Sequence, residues 1–411
     1  MISVFTPSHN ARYLKDAYKS LLAQTEQNWE WIILFNGPAK TMHVPFTDKR
    51  VHVYRTDAKG IGALKKEAVS YCKGEYLVEL DHDDMLRPRA LEFVLDAFAN
   101  NKKVSMVYSD TAQVLADGTR DESEFSEEHG WEYYEEDGYK VASSFDAYPH
   151  NLSYIWYAPN HLRAFRQSAY EACGGYDPSL VVLDDQDLMT RLFQVGPFHH
   201  IHKCLYLQRV HDGNTQRDRD TNAAIQVQTQ AMYYTDIEAN CLAWAHHNGL
   251  YALDLGAYHN KPKGYIGVDM RHGNNVDIVS DFMELDLPDN SVGVIRAVDF
   301  LEHVPNRIGV MEKIYRLLAH GGMLLSETPS TDGRGAWQDP THVSGWNQNS
   351  FWYFSDDRWR QYIECEAKFH VSRLETYFPS QWHEQQHISY VRANLVASKY
   401  GRSFGGPATA V

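Results

Sequence analysis

Short apolar runs alternate with amphipathic stretches from the start of the chain. Ile2 to Thr6 predicts a strand, Tyr13 to Gln24 an amphipathic helix, and Trp29 to Phe35 a second strand closed by Asn36-Gly37-Pro38. Val51 to Arg55 predicts a third strand, Ile61 to Cys72 a helix with Ala63, Leu64, Ala68 and Val69 on one side, and Tyr76 to Leu80 a further strand. Leu91 to Phe98 has helical spacing, Ser105 to Ser109 reads as a strand, Tyr154 to Phe165 leads into a helical Ser168 to Ala172, and Asp184 to Val195 is a clear helix. Strands alternating with helices predict a mainly parallel sheet. After a polar, helical stretch from about Asn222 to Asn248 a second alternating array begins. Its strands are Tyr251 to Leu255, Gly264 to Asp269, Asp277 to Asp281, Val292 to Val298 and Met323 to Glu327, with Arg307 to Leu318 helical.

This pattern predicts an α/β protein in two halves. Residues 1–220 form one domain, 221–249 a helical linker, 250–398 a second and smaller domain, and 399–411 a flexible tail. A chain of 411 residues with 43% hydrophobic content suits two cores better than one. The formal net charge of -15 excludes a general attraction to a nucleic-acid backbone or an anionic membrane. Much of the acid lies in Asp121 to Asp137, which reads as a solvated surface loop, with an acceptor-facing flap as the alternative. Cys72, Cys173, Cys204, Cys241 and Cys365 are scattered without CxxC spacing, as expected of thiols in a reducing compartment. With no basic-then-apolar leader and no run of membrane-spanning length, a soluble, cytoplasmic protein is expected.

The densest chemistry is Asp81-His82-Asp83-Asp84, directly after the strand Tyr76 to Leu80. Alternation along an extended segment would aim Asp81 and Asp83 the same way, and two carboxylates suit a hard divalent cation such as Mg²⁺ or Mn²⁺. The competing reading is that Asp83 or Asp84 caps the helix that Pro88 opens.

Further spaced pieces accompany this cluster. Thr6-Pro7-Ser8-His9-Asn10 follows the first strand, Tyr13-Leu14 and Ser20 to Thr25 lie in the first helix, and Lys73-Gly74-Glu75-Tyr76 precedes the acidic cluster. Later come Gly174-Gly175-Tyr176-Asp177, Leu183-Asp184-Asp185-Gln186-Asp187-Leu188 and Arg209-Val210-His211-Asp212-Gly213-Asn214-Thr215. The ordered set, over about residues 1–220, resembles the family 2 glycosyltransferases of the GT-A fold. Residues at the carboxyl end of the first parallel strand face the crevice where such a sheet receives a nucleotide, so Thr6, Pro7 and Asn10 are expected near the base and ribose. The expected donor-binding set is completed by Asn36, Asp81, His82 and Asp83. The expected metal set is Asp83, Asp81 and His211, where His211 stands in the family's His-x-x-Asn context. In the family the acidic pair at the start of the late helix supplies the base for the acceptor hydroxyl. Here the pair is Asp184-Asp185, with Asp185 the expected base and helix capping the alternative for Asp184.

In the second half, Leu253-Asp254-Leu255-Gly256, Gly267-Val268-Asp269, Asp281, Leu287 to Val292, Leu301-Glu302-His303 and Leu318 to Gly322 resemble the class I S-adenosylmethionine-dependent methyltransferases. The resemblance implies a Rossmann-like domain with a cofactor site at Gly256, Asp269 and Asp281. The loop departs from the pattern: Gly256-Ala257-Tyr258 stands where Gly-x-Gly is expected, and only His259 to Lys263 precede the next strand. S-adenosylmethionine binding is therefore not expected. Asp339 to Ser344 with Trp346, Asn347, Asn349, Phe351, Trp352 and Tyr353 has an aromatic, hydroxyl-binding character, with simple core packing as the alternative.

The resemblances imply inverting, Mn²⁺- or Mg²⁺-dependent transfer of a sugar from a nucleotide-sugar, a UDP-sugar first, to a hydroxyl acceptor. The acceptor expected is a glycan or a hydroxylated modified DNA base. The alternative is a bifunctional or primary methyltransferase acting on a glycan.

Overall fold

The computed structural model describes residues 1–411 except 42–43, 45, 125–129, 155–157, 213–218, 403 and 406–411. The chain folds into two compact units, Met1–Ala147 with Asn151–Asp236, and Tyr148–His150 with Ile237–Val411.

The first unit is built on one sheet. Its strands are β1 (Ile2–Ser8), β2 (Trp29–Phe35), β3 (Val51–Arg55), β4 (Tyr76–Glu79), β5 (Met85–Leu86), β6 (Met106–Leu115), β7 (Glu132–Glu136), β8 (Tyr139–Ser143), β9 (Arg163–Arg166) and β10 (Phe198–Val210). The path runs β3-β2-β1-β4-β9-β6-β10-β5, with β8 on β6 and β7 on β8. Period-two side-chain alternation divides the buried residues between two faces. Ile2, Val4, Trp31 and Ile33 pack with Leu14, Ala17, Leu91 and Val94 on one side, while Phe5, Ile32 and Leu34 pack with Leu64, Ala68, Leu188 and Leu192 on the other. Because β2 and β4 flank β1 on opposite sides, the chain reverses its direction of travel there, opening the crevice in which α/β sheets receive ligands.

Only part of this sheet follows the expected parallel pattern. The strands β1 to β4 are parallel, but β9 runs antiparallel to β4 and β6, and β5 antiparallel to β10. The acidic run is also not simply a solvated loop. Residues Glu132–Glu136 and Tyr139–Ser143 pair as a hairpin, Trp131 is buried, and the Tyr134 hydroxyl donates to Asp110 Oδ2 at 2.9 Å. Aromatic residues set among the acids supply the apolar contact that a solvated loop lacks. Glu127 and Glu128 lie outside the described residues.

The second unit's strands are β11 (Tyr251–Leu255), β12 (Ile266–Asp269), β13 (Ile278–Val279), β14 (Val292–Val298), β15 (Leu318–Pro329), β16 (Phe369–Tyr377) and β17 (Tyr390–Ala397). Their order is β13-β12-β11-β14-β15-β17-β16, parallel up to β15 and antiparallel at β17 and β16. The polar helical stretch is one helix, Arg219–His247, and the division between the units falls inside it. Two sequence expectations fail in this unit. Trp346 and Phe351 are wholly buried in its core rather than offered for stacking. The expected loose tail from 399 is held at Phe404 and Gly405, since Phe404 is buried against Tyr148, His320 and His370, and Gly405 O accepts from His150. Among the described residues no helix is long and apolar enough to cross a membrane.

Candidate active site

The strand β4 ends at Glu79, and the chain turns at once. Asp84 N–H donates to Asp81 O at 3.2 Å, so Asp81 and Asp83 leave a turn, not an extended segment, and point to different partners. Asp83 is buried, with Oδ2 2.8 Å from His211 Nε2 at the end of β10. The His211 ring stacks on Tyr13 at 5.3 Å. Arg209 pins the turn from the same strand: its N–H donates to Asp84 Oδ1 at 2.7 Å and its Nε to Asp83 O at 2.9 Å. Capping is not the role of this cluster, because the following helix, Ala90–Asn100, has Arg89 at its cap position. His82 meets His9 edge-on, with ring centres 4.9 Å apart.

The Asp81 carboxylate does not form a compact ligand group with Asp83 and His211, the metal set in which it was expected. Asp81 N–H donates to the Tyr206 hydroxyl at 3.1 Å, and its carboxylate lies 3.9 Å from His161 Nε2. Burial, with Glu79 and Asp83 nearby, raises its pKa to about 7, although 42% of the side chain stays open and solvent in the crevice offsets part of that rise. Among the described residues, groups of three metal-ligating side chains within 4.8 Å of one another are Asp110, His200, His202 and Glu302, His303, His342, not Asp81, Asp83, His211.

Behind Asp81 lies a buried ionic cluster. Lys65 Nζ sits 2.5 Å from Glu79 Oε1 and 2.8 Å from Asp184 Oδ2, and Arg163 reaches Asp185 Oδ2 at 2.5 Å. The helix Ile61–Ser70 comes close enough only because Gly62 has no side chain: a Cβ there would lie 2.1 Å from Asp177 O. Burial raises Asp185, but Arg163 and Lys65 outweigh it and hold the carboxyl at about 2. For Asp184, burial wins over Lys65 and the pKa goes up. His161 is neutral, its pKa lowered to about 3 by burial and by Arg163. Asp184 is not a cap: Leu183 holds that position, at φ 58°, with no side-chain cap bond.

The strand-end residues are only partly available. Thr6 is fully buried, its hydroxyl donating to Leu80 O at 2.6 Å and accepting from Trp31 Nε1 at 2.8 Å, so it braces the sheet and cannot contact a donor. Asn10 Oδ1 accepts from Arg12 N–H at 3.0 Å, and Asn36 N–H donates to Ser8 O at 3.1 Å; Pro7, Asn10 and Asn36 are half-buried at the crevice. Gly213, Asn214 and Thr215 lie outside the described residues. Sequence reasoning missed Lys65, Glu79, His161 and Arg163. The signal was present for two of them: Glu79 interrupts an apolar strand, and Lys65 adjoins the apolar side of its helix.

Residues 3–171 match the glycosyl transferase family 2, and residues 157–394 match a family described as a methyltransferase domain. The chain joins a family 2 glycosyl transferase domain to a methyltransferase-type domain. The chondroitin synthase of Escherichia coli is 28% identical over 221 residues, covering 52% of this chain and 30% of that protein. The hyaluronan synthase of Pasteurella multocida is 28% identical over 221 residues, 52% of this chain and 21% of that protein. The match thus spans under a third of either synthase. Among solved structures, S. aureus TarS 1-349 in complex with UDP-GlcNAc has a TM-score of 0.44 at 12% identity, over 60% of this chain and 71% of that one, too loose a likeness to bear on the site.

In the methyltransferase-type domain the expected cofactor residues bond to their own chain. Asp269 accepts from Tyr258 N–H at 3.3 Å and from Arg271 N–H at 2.8 Å, while the Arg271 guanidinium lies 4.2 Å over the Tyr258 ring. Gly256, at φ 75°, makes the turn that places Ala257 in the core. Asp281 is exposed and caps the short helix Phe282–Glu284, accepting from Met283 N–H at 2.8 Å.

Proposed function

We propose that this chain transfers a sugar from a nucleoside-diphosphate donor, a UDP-sugar, to a hydroxyl acceptor with inversion at the anomeric carbon. The observation that carries this reading is the Asp83–His211 pair, a carboxylate oxygen and a ring nitrogen 2.8 Å apart at the end of β10 and beside the β1–β4 crevice. An oxygen and an imidazole nitrogen fit Mn²⁺ better than Mg²⁺, and an ion held there would neutralise the departing diphosphate. Asp81, which keeps an open face, meets the ribose or the sugar, and Pro7, Asn10, Asn36 and His82 line the nucleotide side. Asp185 takes the acceptor's proton as that oxygen bonds to the anomeric carbon and the carbon–diphosphate bond breaks. A carboxyl held at about 2 is a weak base, so it accepts the proton only late, once bonding to carbon has acidified the hydroxyl. Direct displacement needs no covalent protein intermediate.

The names of the two synthase relatives favour a glycan hydroxyl over a modified DNA base as acceptor. Five free thiols suit a reducing compartment, and we place the activity in the cytoplasm. We read the methyltransferase-type domain as serving recognition or packing without S-adenosylmethionine, since Asp269 is already hydrogen-bonded by its own loop.

The test is a screen of nucleotide-sugars with Mn²⁺, scoring donor hydrolysis and transfer to glycan acceptors. One UDP-sugar should be consumed, and EDTA or Asp83→Ala should abolish turnover and weaken donor binding. Full turnover by Asp83→Ala in EDTA would remove the metal from this reading.

A further inference from the structure

A second cluster lies in the methyltransferase-type domain, just past the carboxyl ends of β14 and β15. Glu302 and His303 belong to the turn Leu301–His303 after β14, and His342 comes from the loop before Trp346. One ligand atom from each of the three lies within 4.8 Å of the others. Glu302 is 1% exposed, and its Oε2 accepts from the Thr328 hydroxyl at 2.6 Å. Its Oε1 is buried with no hydrogen-bond partner among the described residues. A buried carboxylate oxygen left without a donor carries a desolvation penalty that a cation would remove.

Both imidazoles are set for ligation in the same way. His303 Nδ1 lies 3.1 Å from Thr341 O, and His342 Nδ1 lies 3.2 Å from Ala336 O. A carbonyl only accepts, so each Nδ1 carries the proton and each Nε2 keeps its lone pair, the outer-shell arrangement that fixes ligand histidines in metal sites. The rings meet edge-on, 5.1 Å apart. The loop that brings His342 is held in place: Val343 N–H and Ser344 N–H donate to Glu302 O at 2.9 and 3.0 Å, and Trp346 Nε1 to Leu301 O at 3.2 Å. The residue that supplies the carboxylate therefore also anchors the loop that supplies the second nitrogen. Asp299, at φ 50° on the same strand end, places another carboxylate within electrostatic reach of His303 and His342.

We propose that Glu302, His303 and His342 hold a first-row divalent transition-metal ion. Two imidazoles and one carboxylate favour Zn²⁺, Co²⁺, Fe²⁺ or Mn²⁺ over Mg²⁺ and Ca²⁺, which prefer oxygen alone. Three protein ligands leave coordination positions open. His303 is exposed, so those positions are reached from solvent by water or by a hydroxyl-bearing ligand.

The test uses the full chain carrying Asp83→Ala, which takes the first domain's pair out of the measurement, with Co²⁺ alone as the probe. Equilibrium dialysis should find a tight equivalent of Co²⁺, and adding His303→Ala should weaken it by at least about 100-fold, beyond the ~10–100-fold carried by outer-shell partners. His303 is exposed, so its loss leaves the core intact, and thermal melting of the variant checks this. In crystals soaked with Co²⁺, anomalous scattering at the cobalt edge should place the ion against Glu302, His303 and His342. Unaltered tight binding in the His303→Ala variant, no tight equivalent at all, or an anomalous peak only at another cluster such as Asp110, His200 and His202, overturns the assignment.

Discussion

Asp185 illustrates how a side chain's role follows from its neighbours. As one of two adjacent acids opening a helix it is indistinguishable from a first-turn carboxylate that merely complements the helix dipole. Arg163 at 2.5 Å instead, with Lys65, holds its carboxyl at about 2, so that it is ionised at neutral pH. Asp185→Asn keeps the shape and removes the proton acceptor, so turnover should fall by ~10²-fold or more while donor affinity is retained, measured as kcat against donor Kd. Unchanged turnover would move the base to Asp184 or Asp187. Thr6 makes the opposite case: its position at a strand end suggests a ligand contact, but two buried hydrogen bonds commit it to the sheet.

Among elements, turns decided more than strands did. The strands Trp29–Phe35, Val51–Arg55, Tyr251–Leu255 and Val292–Val298 and the helix Asp184–Val195 coincide with their apolar spacing, because burial on a sheet face or helix stripe imposes that period. The turn after β4 separates Asp81 from Asp83, which no periodicity foretells, since one local hydrogen bond, Asp84 N–H to Asp81 O, sets it. In the loop after β11, Tyr258 and Arg271 close over Asp269, each donating a backbone N–H to one of its oxygens. Close approach of a cofactor to that backbone would require breaking these contacts. Calorimetry with S-adenosylmethionine should accordingly show no binding at ordinary protein concentrations, and micromolar binding or methyl transfer to a glycan would establish a bifunctional enzyme.

At the scale of the whole molecule, a short segment inside the first half of the sequence, Tyr148–His150, belongs to the second unit. His150 is fully buried, with Nδ1 2.8 Å from the Ser372 hydroxyl and Nε2 2.8 Å from Gly405 O. Burial, with His370 beside it, lowers its pKa to about 3, and burial lowers His370 to about 4. The unfolded chain, with histidine pKa values near 6.5, then binds more protons than the folded one below that pH. Stability is therefore full above about 6.5 and is lost as pH falls toward the folded values, by up to about 1.4 kcal/mol per pH unit for each histidine. Denaturant melts of the second unit at pH 7 and pH 5 should show this loss, reduced in His150→Asn; a midpoint independent of pH would contradict the burial of a neutral ring. The sequence alone determined the two α/β arrays, the presence of an acidic run after β4 and the late acidic pair, because these rest on periodicities and motifs confined to a few neighbouring residues. Only the tertiary structure decided that His211 meets Asp83, that Lys65 and Arg163 hold the acids of the late helix, and that His342 reaches Glu302. Each is a contact between residues about 20 to 130 positions apart, fixed by strand order and loop anchoring, and no local pattern encodes that distance.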